Sequence, residues 1–289
     1  MQQDHANRTQ AEVQAFSAEW VPPTGVLGVL TQAAHERADA EARHLGEWRA
    51  RAADRAAAPV PLGPALRGPH VRVIAEVKRA SPSKGAIAPG LDAATQARAY
   101  EAGGAAAVSV LTEPTRFGGS LEDLLAAAAA VRLPVIRKDF VVHPVQLWEA
   151  AACGASAALL IVRALDPEAL TRLMGEAPAC GLDLLVEVRD EAELDRALRA
   201  GASLVGVNNR NLETLVIDPD TAPRIIPLIP RSCVAVAESG MSARADVEPV
   251  ARVGADAILV GSAVSRATDP TAAVRALASV ASGPGLRPG

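Results

Sequence analysis

From Val71 onward the sequence alternates between short aliphatic runs and longer segments with helical apolar spacing. The aliphatic runs are VRVIAEV, AAAVSVL, LPVIRKDF, AALLIV, DLLVEV, LVGVNN, VAVAES and AILVGS. Nearly continuous apolar runs of this length are typical of strands buried on both faces of a parallel sheet. Eight strand–helix units fit between Val71 and Ala281, about 210 residues, so the sequence predicts an α/β chain folded as a (β/α)8 TIM barrel of compact size.

An open, doubly wound parallel sheet is the alternative fold for such a pattern, but no Gly-rich dinucleotide loop follows the first strand. The helix ends carry suitable caps. The residues predicted to cap helix N-termini are Asp92, Ser120, Asp166 and Asp269. The residues predicted to cap helix C-termini in a left-handed conformation are Gly103, Gly154, Gly201 and Gly254.

The chain is predicted to divide into an N-terminal extension, residues 1–69, and the barrel, residues 70–289. We expect residues 1 to about 20 to be disordered and one helix to run from Gly25 to about Arg55. The stretch AAAPVPLGPALRGPH is rich in proline and glycine, so it is predicted to be a connector without regular structure. The extension is expected to lie against the barrel, and the tail SGPGLRPG to be frayed.

Composition excludes several classes of protein. Apolar residues make up 49% of the chain and charged residues 21%, values that exclude a mainly disordered protein. A net charge of −4 argues against nucleic-acid and anionic-membrane partners. The three cysteines have neither CxxC spacing nor a histidine pattern, and no run of about 18 uncharged apolar residues occurs. We therefore expect a cytoplasmic monomer that acts on a small molecule and uses no metal and no organic cofactor.

Polar side chains follow the predicted strands, at the barrel end where active sites lie. Buried strand ends usually carry Val, Ile or Leu, so charges there indicate function; a paired ionic ring that closes the barrel is the alternative. The candidates, in strand order, are Glu76, Lys78, Ser81, Phe117, Lys138, Asp139, Phe140, Glu187, Asn208, Arg210, Leu212, Glu238, Ser239, Gly240, Gly261 and Ser262.

The loops after the seventh and eighth strands suit a phosphate group. Barrels of this type often bind phosphate there. Gly240 and Gly261 allow backbone N–H groups to approach an anion closely, and Ser239 and Ser262 add hydroxyl donors. Ordinary turn chemistry is the alternative explanation for these Gly and Ser pairs.

Seven motifs then point to one family. The segments IAEVKRASPSKG, LTEPTRFGGSLEDL, PVIRKDFVV, LLVEVRD, VGVNNRNLETL, VAESGMS and ILVGSAV resemble indole-3-glycerol-phosphate synthase motifs, in the family's order. The resemblance covers nearly the whole barrel and the extension. It implies a carboxy-lyase of tryptophan biosynthesis that closes the ring of 1-(2-carboxyphenylamino)-1-deoxyribulose 5-phosphate and releases carbon dioxide and water. One departure is Asn211, where the family commonly has Asp.

The resemblance also implies catalytic roles. Ring closure requires a proton for the carbonyl oxygen, and Lys138 matches the family's general acid; pairing with Asp139 is its alternative role. Glu187 matches an acid–base carboxylate, and Glu76 with Lys78 forms a second cluster, either of which could serve the dehydration. Lys78 is also a candidate for binding phosphate.

Substrate-binding roles fall on the remaining candidates. Arg210, with the catalytic candidate Asn208 beside it, suits the aryl carboxylate; a pair between Arg210 and Glu213 or another acid of the loop is the alternative. The residues expected to contact the aryl ring are Phe117, Phe140 and Leu212, and further substrate contacts are expected from Ser81, Glu238 and Ser239.

Three other functions compete with this interpretation. One is a related phosphate-binding barrel such as phosphoribosylanthranilate isomerase, which would share the two glycine-rich loops but would not need both Lys78 and Lys138. A second is a Schiff-base lyase with either lysine as the nucleophile. A third is a phosphate-metabolite binder without activity, which would not need both an acid and a base.

Overall fold

A computed structural model describes residues 20–55, 58–283 and 286–289 of the chain. Its main feature is a closed barrel of eight parallel strands in sequence order, in which the last strand pairs with the first and Val260 lies opposite Ala75. The strands are β1 Arg72–Val77, β2 Ala107–Leu111, β3 Val135–Lys138, β4 Ala157–Ile161, β5 Asp183–Val188, β6 Leu204–Asn208, β7 Val234–Glu238 and β8 Ala257–Val260. The (β/α)8 prediction is confirmed, and the open sheet is excluded.

Helices alternate with these strands and cover the outside of the barrel. They are α1 Gly25–Glu41, α2 Leu45–Ala53, α3 Leu62–Ala65, α4 Ala93–Ala102, α5 Leu121–Ala130, α6 Pro144–Ala152, α7 Pro167–Cys180, α8 Glu191–Arg199, α9 Thr221–Ile225, α10 Arg244–Arg252, α11 Ser262–Ser265 and α12 Pro270–Ala278. Short 3₁₀ turns cover Ala42–His44, Val162–Ala164 and Ile226–Leu228. The main core lies between strands and helices, where the buried faces are almost entirely aliphatic.

The predicted N-caps are confirmed, because each of the four side chains accepts a hydrogen bond from a backbone N–H of the first turn. Gly154, Gly201 and Gly254 have positive φ, as expected of C-terminal caps. The prediction for Gly103 was wrong: its φ is −77°, and the next residue, Gly104, is left-handed instead. A Cβ on Gly103 would lie 2.7 Å from the Thr271 carbonyl oxygen, so close packing of two helices explains this glycine.

The N-terminal extension departs from its prediction in two places. The expected single helix is divided into α1 and α2 by the turn Ala42–His44. The connector contains the short helix α3, where Leu62 is fully buried and its N–H donates to the Asp183 carboxylate at 2.7 Å. A distant carboxylate therefore caps a helix that local sequence does not reveal. The disorder expected of residues 1–19 falls outside the described residues, and the boundary at residue 69 stays a prediction.

The C-terminal tail is not frayed in its described part, residues 286–289. The Arg287 side chain is buried, ion-pairs with Asp256 at 2.5 Å and donates to the carbonyl groups of Gly254 and Pro230 at 3.1 and 2.7 Å. One charged side chain thus fixes a segment whose Pro and Gly content suggested the opposite.

No helix in the described part of the chain is both long enough and apolar enough to span a membrane. All three cysteines are buried free thiols.

Candidate active site

A cavity of about 290 Å³ opens at the carboxyl ends of the strands. It brings together every predicted catalytic, substrate-binding and phosphate-binding residue except Glu187, which lines an adjoining cavity. Asp139 also lines it, although its carboxylate is used elsewhere. The site is therefore assembled from seven of the eight strand ends, as parallel strands in a barrel allow.

Lys138 lies among buried carboxylates at the base of this cavity. Its ammonium is 3.3 Å from Glu187 Oε2 and 3.8 Å from Glu238 Oε2. Asn208 Nδ2 donates to Glu187 Oε1 at 2.9 Å, which fixes the second oxygen of that carboxylate. The alternative pairing of Lys138 with Asp139 is wrong, because the Asp139 carboxylate binds arginines instead.

The electrostatics of this group follow from burial and mutual charge. Burial raises the pKa of Glu238 well above its usual range, and the charge of Glu187 raises it further, while Lys138 opposes both effects. The raised pKa favours the neutral form of Glu238 more than in an exposed glutamate. Burial alone would lower the pKa of Lys138, but Glu187, Glu238 and Glu76 outweigh burial and raise it. Lys138 is thus a stably protonated ammonium until a stronger base takes its proton.

Glu76 and Lys78 form a second ion pair, at the end of β1. Two glycines leave the space that the buried carboxylates occupy: a Cβ on Gly261 would overlap Glu76 Oε1, and a Cβ on Gly206 would overlap Glu238 Oε1. Gly261 was predicted only as a phosphate residue. Because the absence of a side chain at Gly261 also leaves room for the Glu76–Lys78 pair, replacing Gly261 would disturb both the predicted phosphate site and this ion pair.

Cations gather at the end of the cavity formed by the β1, β7 and β8 loops. Lys84 and Arg266 line it beside the predicted phosphate residues. Burial lowers the pKa of Lys84, and the charges of Arg266, Arg210 and Lys78 lower it further. Sequence reasoning missed Lys84 and Arg266. The signal for Lys84 was present in the SPSKG motif, of which only Ser81 was selected.

Another part of the cavity lining is apolar. The rings of Phe117 and Phe140 have centroids 6.2 Å apart and are tilted by 43°. Leu212 lines the same cavity, as do Val26 and Leu30 of α1. The two α1 residues were missed, because nothing in the sequence indicates that the extension reaches the mouth of the barrel.

Arg210 lines the same cavity. Its guanidinium donates to the Leu215 carbonyl at 2.7 Å, and the alternative pairing with Glu213 is wrong, since Glu213 binds Arg163 at 2.8 Å. Burial lowers the pKa of Arg210. Asn211 accepts from the N–H groups of the next loop residues at 2.8 and 3.1 Å, contacts that an Asp side chain would also make. The departure from the family motif therefore preserves the loop.

Glu187 lines a second cavity, of about 210 Å³, together with Glu193. Burial raises the pKa of Glu193 to about 7, and the charge of Asp190 adds to this effect. The Glu193 carboxylate also accepts from the Arg189 N–H at 2.8 Å, which completes the first turn of α8.

This burial makes stability depend on pH. The folded state binds more protons than the unfolded state between pH about 4.5 and 7, so the contribution of Glu193 to stability falls as pH rises through that range. A glutamine keeps the acceptor for the Arg189 N–H but cannot ionise. We expect Glu193→Gln to raise the free energy of unfolding by about 3 kcal/mol at pH 8 and about 1 kcal/mol at pH 5, measured by urea unfolding.

Glu191→Gln is the matched control, because Glu191 is an exposed carboxylate in the same helical turn. It should give no gain at pH 8. Equal stabilisation by Glu193→Gln at both pH values would show that Glu193 is not protonated by its burial.

Comparisons with known proteins identify the family. A family model described as "Indole-3-glycerol phosphate synthase" matches residues 31–277. The chain is 51% identical over 252 residues to the indole-3-glycerol phosphate synthase of Mycolicibacterium gilvum, a match that covers 86% of this chain and 92% of the relative. It is 54% identical over 225 residues to that of Streptomyces griseus, covering 78% and 84%.

A solved structure supports the fold alone. Thiamine phosphate pyrophosphorylase from Pyrococcus furiosus superimposes with a TM-score of 0.55 at 19% identity, covering 73% of this chain and 95% of that one. The sequence matches go further, since they extend over most of the chain and include the strand-end residues of the site. The chain therefore belongs to the indole-3-glycerol phosphate synthase family.

Proposed function

We propose that the chain closes the indole ring of 1-(2-carboxyphenylamino)-1-deoxyribulose 5-phosphate by the two carboxylate–lysine clusters of this cavity. The observation that carries the proposal is the Lys138 ammonium, 3.3 Å from the buried carboxylate of Glu187, in a cavity lined by both cations and aromatic rings. These two kinds of lining match the phosphate and the aryl ring of the substrate.

Lys138 is the acid of ring closure in this proposal. The aryl carbon that bears the carboxylate attacks the ketone carbon, and the ketone oxygen takes a proton from Lys138 as the new bond forms. The carboxylate then leaves as carbon dioxide, and its bonding electrons restore the aromatic ring. An ammonium held in place by buried carboxylates stabilises the developing oxyanion without reorganisation.

Glu187 is the base of the dehydration. It takes a proton from the carbon next to nitrogen, and the hydroxyl leaves as water with a proton from the Glu76–Lys78 pair. The hydrogen bond between Glu187 and Lys138 supports this order, because it lets Glu187 return its proton to the acid that ring closure consumed. One proton per turnover then enters from solvent to balance the loss of the carboxylate.

The phosphate is assigned to Ser239, Gly240, Gly261, Ser262 and Lys78, with Lys84 and Arg266 as additional cations. Support comes from the neighbouring positive charges of Lys78, Lys84 and Arg266, which favour a dianion. The free, buried cysteines further support a location in the cytoplasm. We also propose a monomer, which size-exclusion chromatography with light scattering would test.

The direct test is to incubate the purified protein with the carboxyphenylamino-deoxyribulose phosphate and follow indole fluorescence. Product formation is expected from the wild-type protein. Absence of product, with turnover of phosphoribosylanthranilate instead, would favour the isomerase alternative. Borohydride added during turnover would trap an imine on Lys78 or Lys138 if the protein were a Schiff-base lyase, and we expect no such adduct.

Arg210 is assigned to the aryl carboxylate. We expect Arg210→Ala to weaken binding of the substrate reduced at its ketone by about tenfold to a hundredfold, because a charge-assisted hydrogen bond contributes about 1.5–3 kcal/mol. The measurement is the inhibition constant of this ligand and of its analogue that lacks the aryl carboxylate. The analogue should bind both proteins alike. Equal weakening of the two ligands would assign Arg210 to the Leu215 loop alone.

A further inference from the structure

Two buried carboxylates lie at the ends of β2 and β3 and take no part in the proposed chemistry. The Glu113 side chain is fully buried, and its oxygens accept from the N–H groups of Thr115, Arg116 and Phe117 at 2.9, 2.7 and 3.1 Å. The Asp139 side chain is also buried, and its Oδ1 accepts from the Phe140 N–H at 2.8 Å. Each carboxylate therefore fixes the backbone of one phenylalanine of the aromatic pair.

Arg37 of α1 bridges these two carboxylates. Its Nη2 donates to Asp139 Oδ1 at 3.1 Å, whereas its Nη1 lies 3.8 Å from Glu113 Oε1, an ion pair without a hydrogen bond. Asp139 has a second cation, since Arg137 binds its other oxygen at 3.0 Å. For Glu113, Arg37 is the one cation within 4.0 Å in the part of the chain that the structure describes.

The position of Arg37 on α1 is fixed by packing. Leu30, Ala34 and Ala38 bury the face of α1 that lies on the barrel, so the guanidinium is held over the ends of β2 and β3. Its side chain is 31% exposed, so water reaches it from the outer side only in part. A cation there offsets the repulsion between two buried negative charges, and its loss would leave Glu113 without a countercharge.

We propose that Arg37 is a positioning residue that sets the spacing of Phe117 and Phe140, and thereby the affinity of the site for the aryl half of its substrate. The inference rests on the proposed function, in which these rings bind the aryl group. Arg37 belongs to the N-terminal extension and contacts both loops that carry the aromatic pair, Phe117 and Phe140. The phosphate end, built from the β1, β7 and β8 loops, lies outside its contacts.

The test compares two ligands with Arg37→Met, which keeps the length of the side chain and removes its charge. We expect the substrate reduced at its ketone to bind about tenfold more weakly, whereas inorganic phosphate should compete as well as it does with the wild type. KM should rise by a similar factor, and kcat should change less than twofold. Arg43→Met is the matched control, because Arg43 is an exposed arginine just beyond α1 whose side chain, among the described residues, hydrogen-bonds only to the adjacent His44; it should leave both constants unchanged.

Two further measurements separate positioning from general stability. Arg37→Lys keeps the cation and should recover most of the lost affinity, and millimolar methylguanidinium should partly rescue Arg37→Ala. If Arg37→Met fails to fold, Arg37→Lys and Glu113→Gln are used instead, and Glu113→Gln should weaken the aryl ligand selectively. Equal weakening of both ligands, or unchanged affinity for the reduced substrate, would overturn the inference.

An error in the proposed function would give a different experimental result from an error in the role of Arg37. If the wild type does not bind the reduced substrate, or if Phe117→Ala and Phe140→Ala leave its binding unchanged, the aryl assignment itself is wrong. If the wild type binds it through the two rings and Arg37→Met binds it equally well, the role of Arg37 alone is wrong.

Discussion

Lys138→Met is expected to lower kcat/KM for indole formation by about 10²–10⁴-fold, the usual contribution of a general acid. Methionine nearly matches the length of the lysine side chain, so it removes the proton donor and the charge with little change in volume. The developing oxyanion would then lack a donor on the carbonyl side. Steady-state indole fluorescence measures the effect, and a single turnover at high enzyme concentration shows that the loss lies in chemistry.

Stability is the main control for this variant. Removing a cation from between two carboxylates often destabilises a protein, and in this variant Glu187 and Glu238 lose the ammonium that lies 3.3 and 3.8 Å from them. Thermal unfolding measures this cost separately, and competition by inorganic phosphate should stay close to wild type. A drop in kcat/KM of less than about tenfold would remove Lys138 as the principal acid.

The barrel could be predicted because its determinants are local. Continuous aliphatic runs and N-cap residues each act within a few positions, and they agree along the whole chain. The errors arose where a distant group decides the local structure. The Asp183 carboxylate caps α3, the Thr271 carbonyl explains Gly103, and Asp256 holds the buried Arg287. Each of these contacts joins residues more than 30 positions apart in the sequence, so no local sequence pattern predicts it.

The same distinction between local and distant determinants applies to the candidate site. Side chains that follow a strand could be predicted to lie at the mouth, because all carboxyl ends of parallel strands meet there. Which of these side chains pair with one another could not be predicted. The sequence allowed Lys138 to pair with its neighbour Asp139, but Lys138 pairs with Glu187, 49 residues away. Val26, Leu30 and Arg37 were missed for the same reason, since they reach the site from a helix that precedes the barrel.

Glu187→Gln gives the second large effect, and it distinguishes the two chemical steps. As the base of dehydration, Glu187 should be needed after ring closure, so its loss should lower the rate of indole formation by about 10²–10⁴-fold. Carbon dioxide should still be released, because Lys138 keeps its proton and its position next to Glu238. The measurement is a single turnover with substrate labelled in the carboxylate, in which labelled carbon dioxide and indole fluorescence are followed together.

The pH profile adds an independent signature of the same variant. The charge of Glu187 is the largest of the effects that raise the pKa of Lys138, so Glu187→Gln should lower that pKa and move the alkaline limb of carbon dioxide release to lower pH. Glu76→Gln is the matched control, because Glu76 has a smaller influence on Lys138 and belongs to the other cluster. If Glu187→Gln slows carbon dioxide release and indole formation by the same factor, Glu187 acts at or before ring closure. The dehydration base would then be Glu76, the carboxylate of the β1 pair, since it lines the substrate cavity.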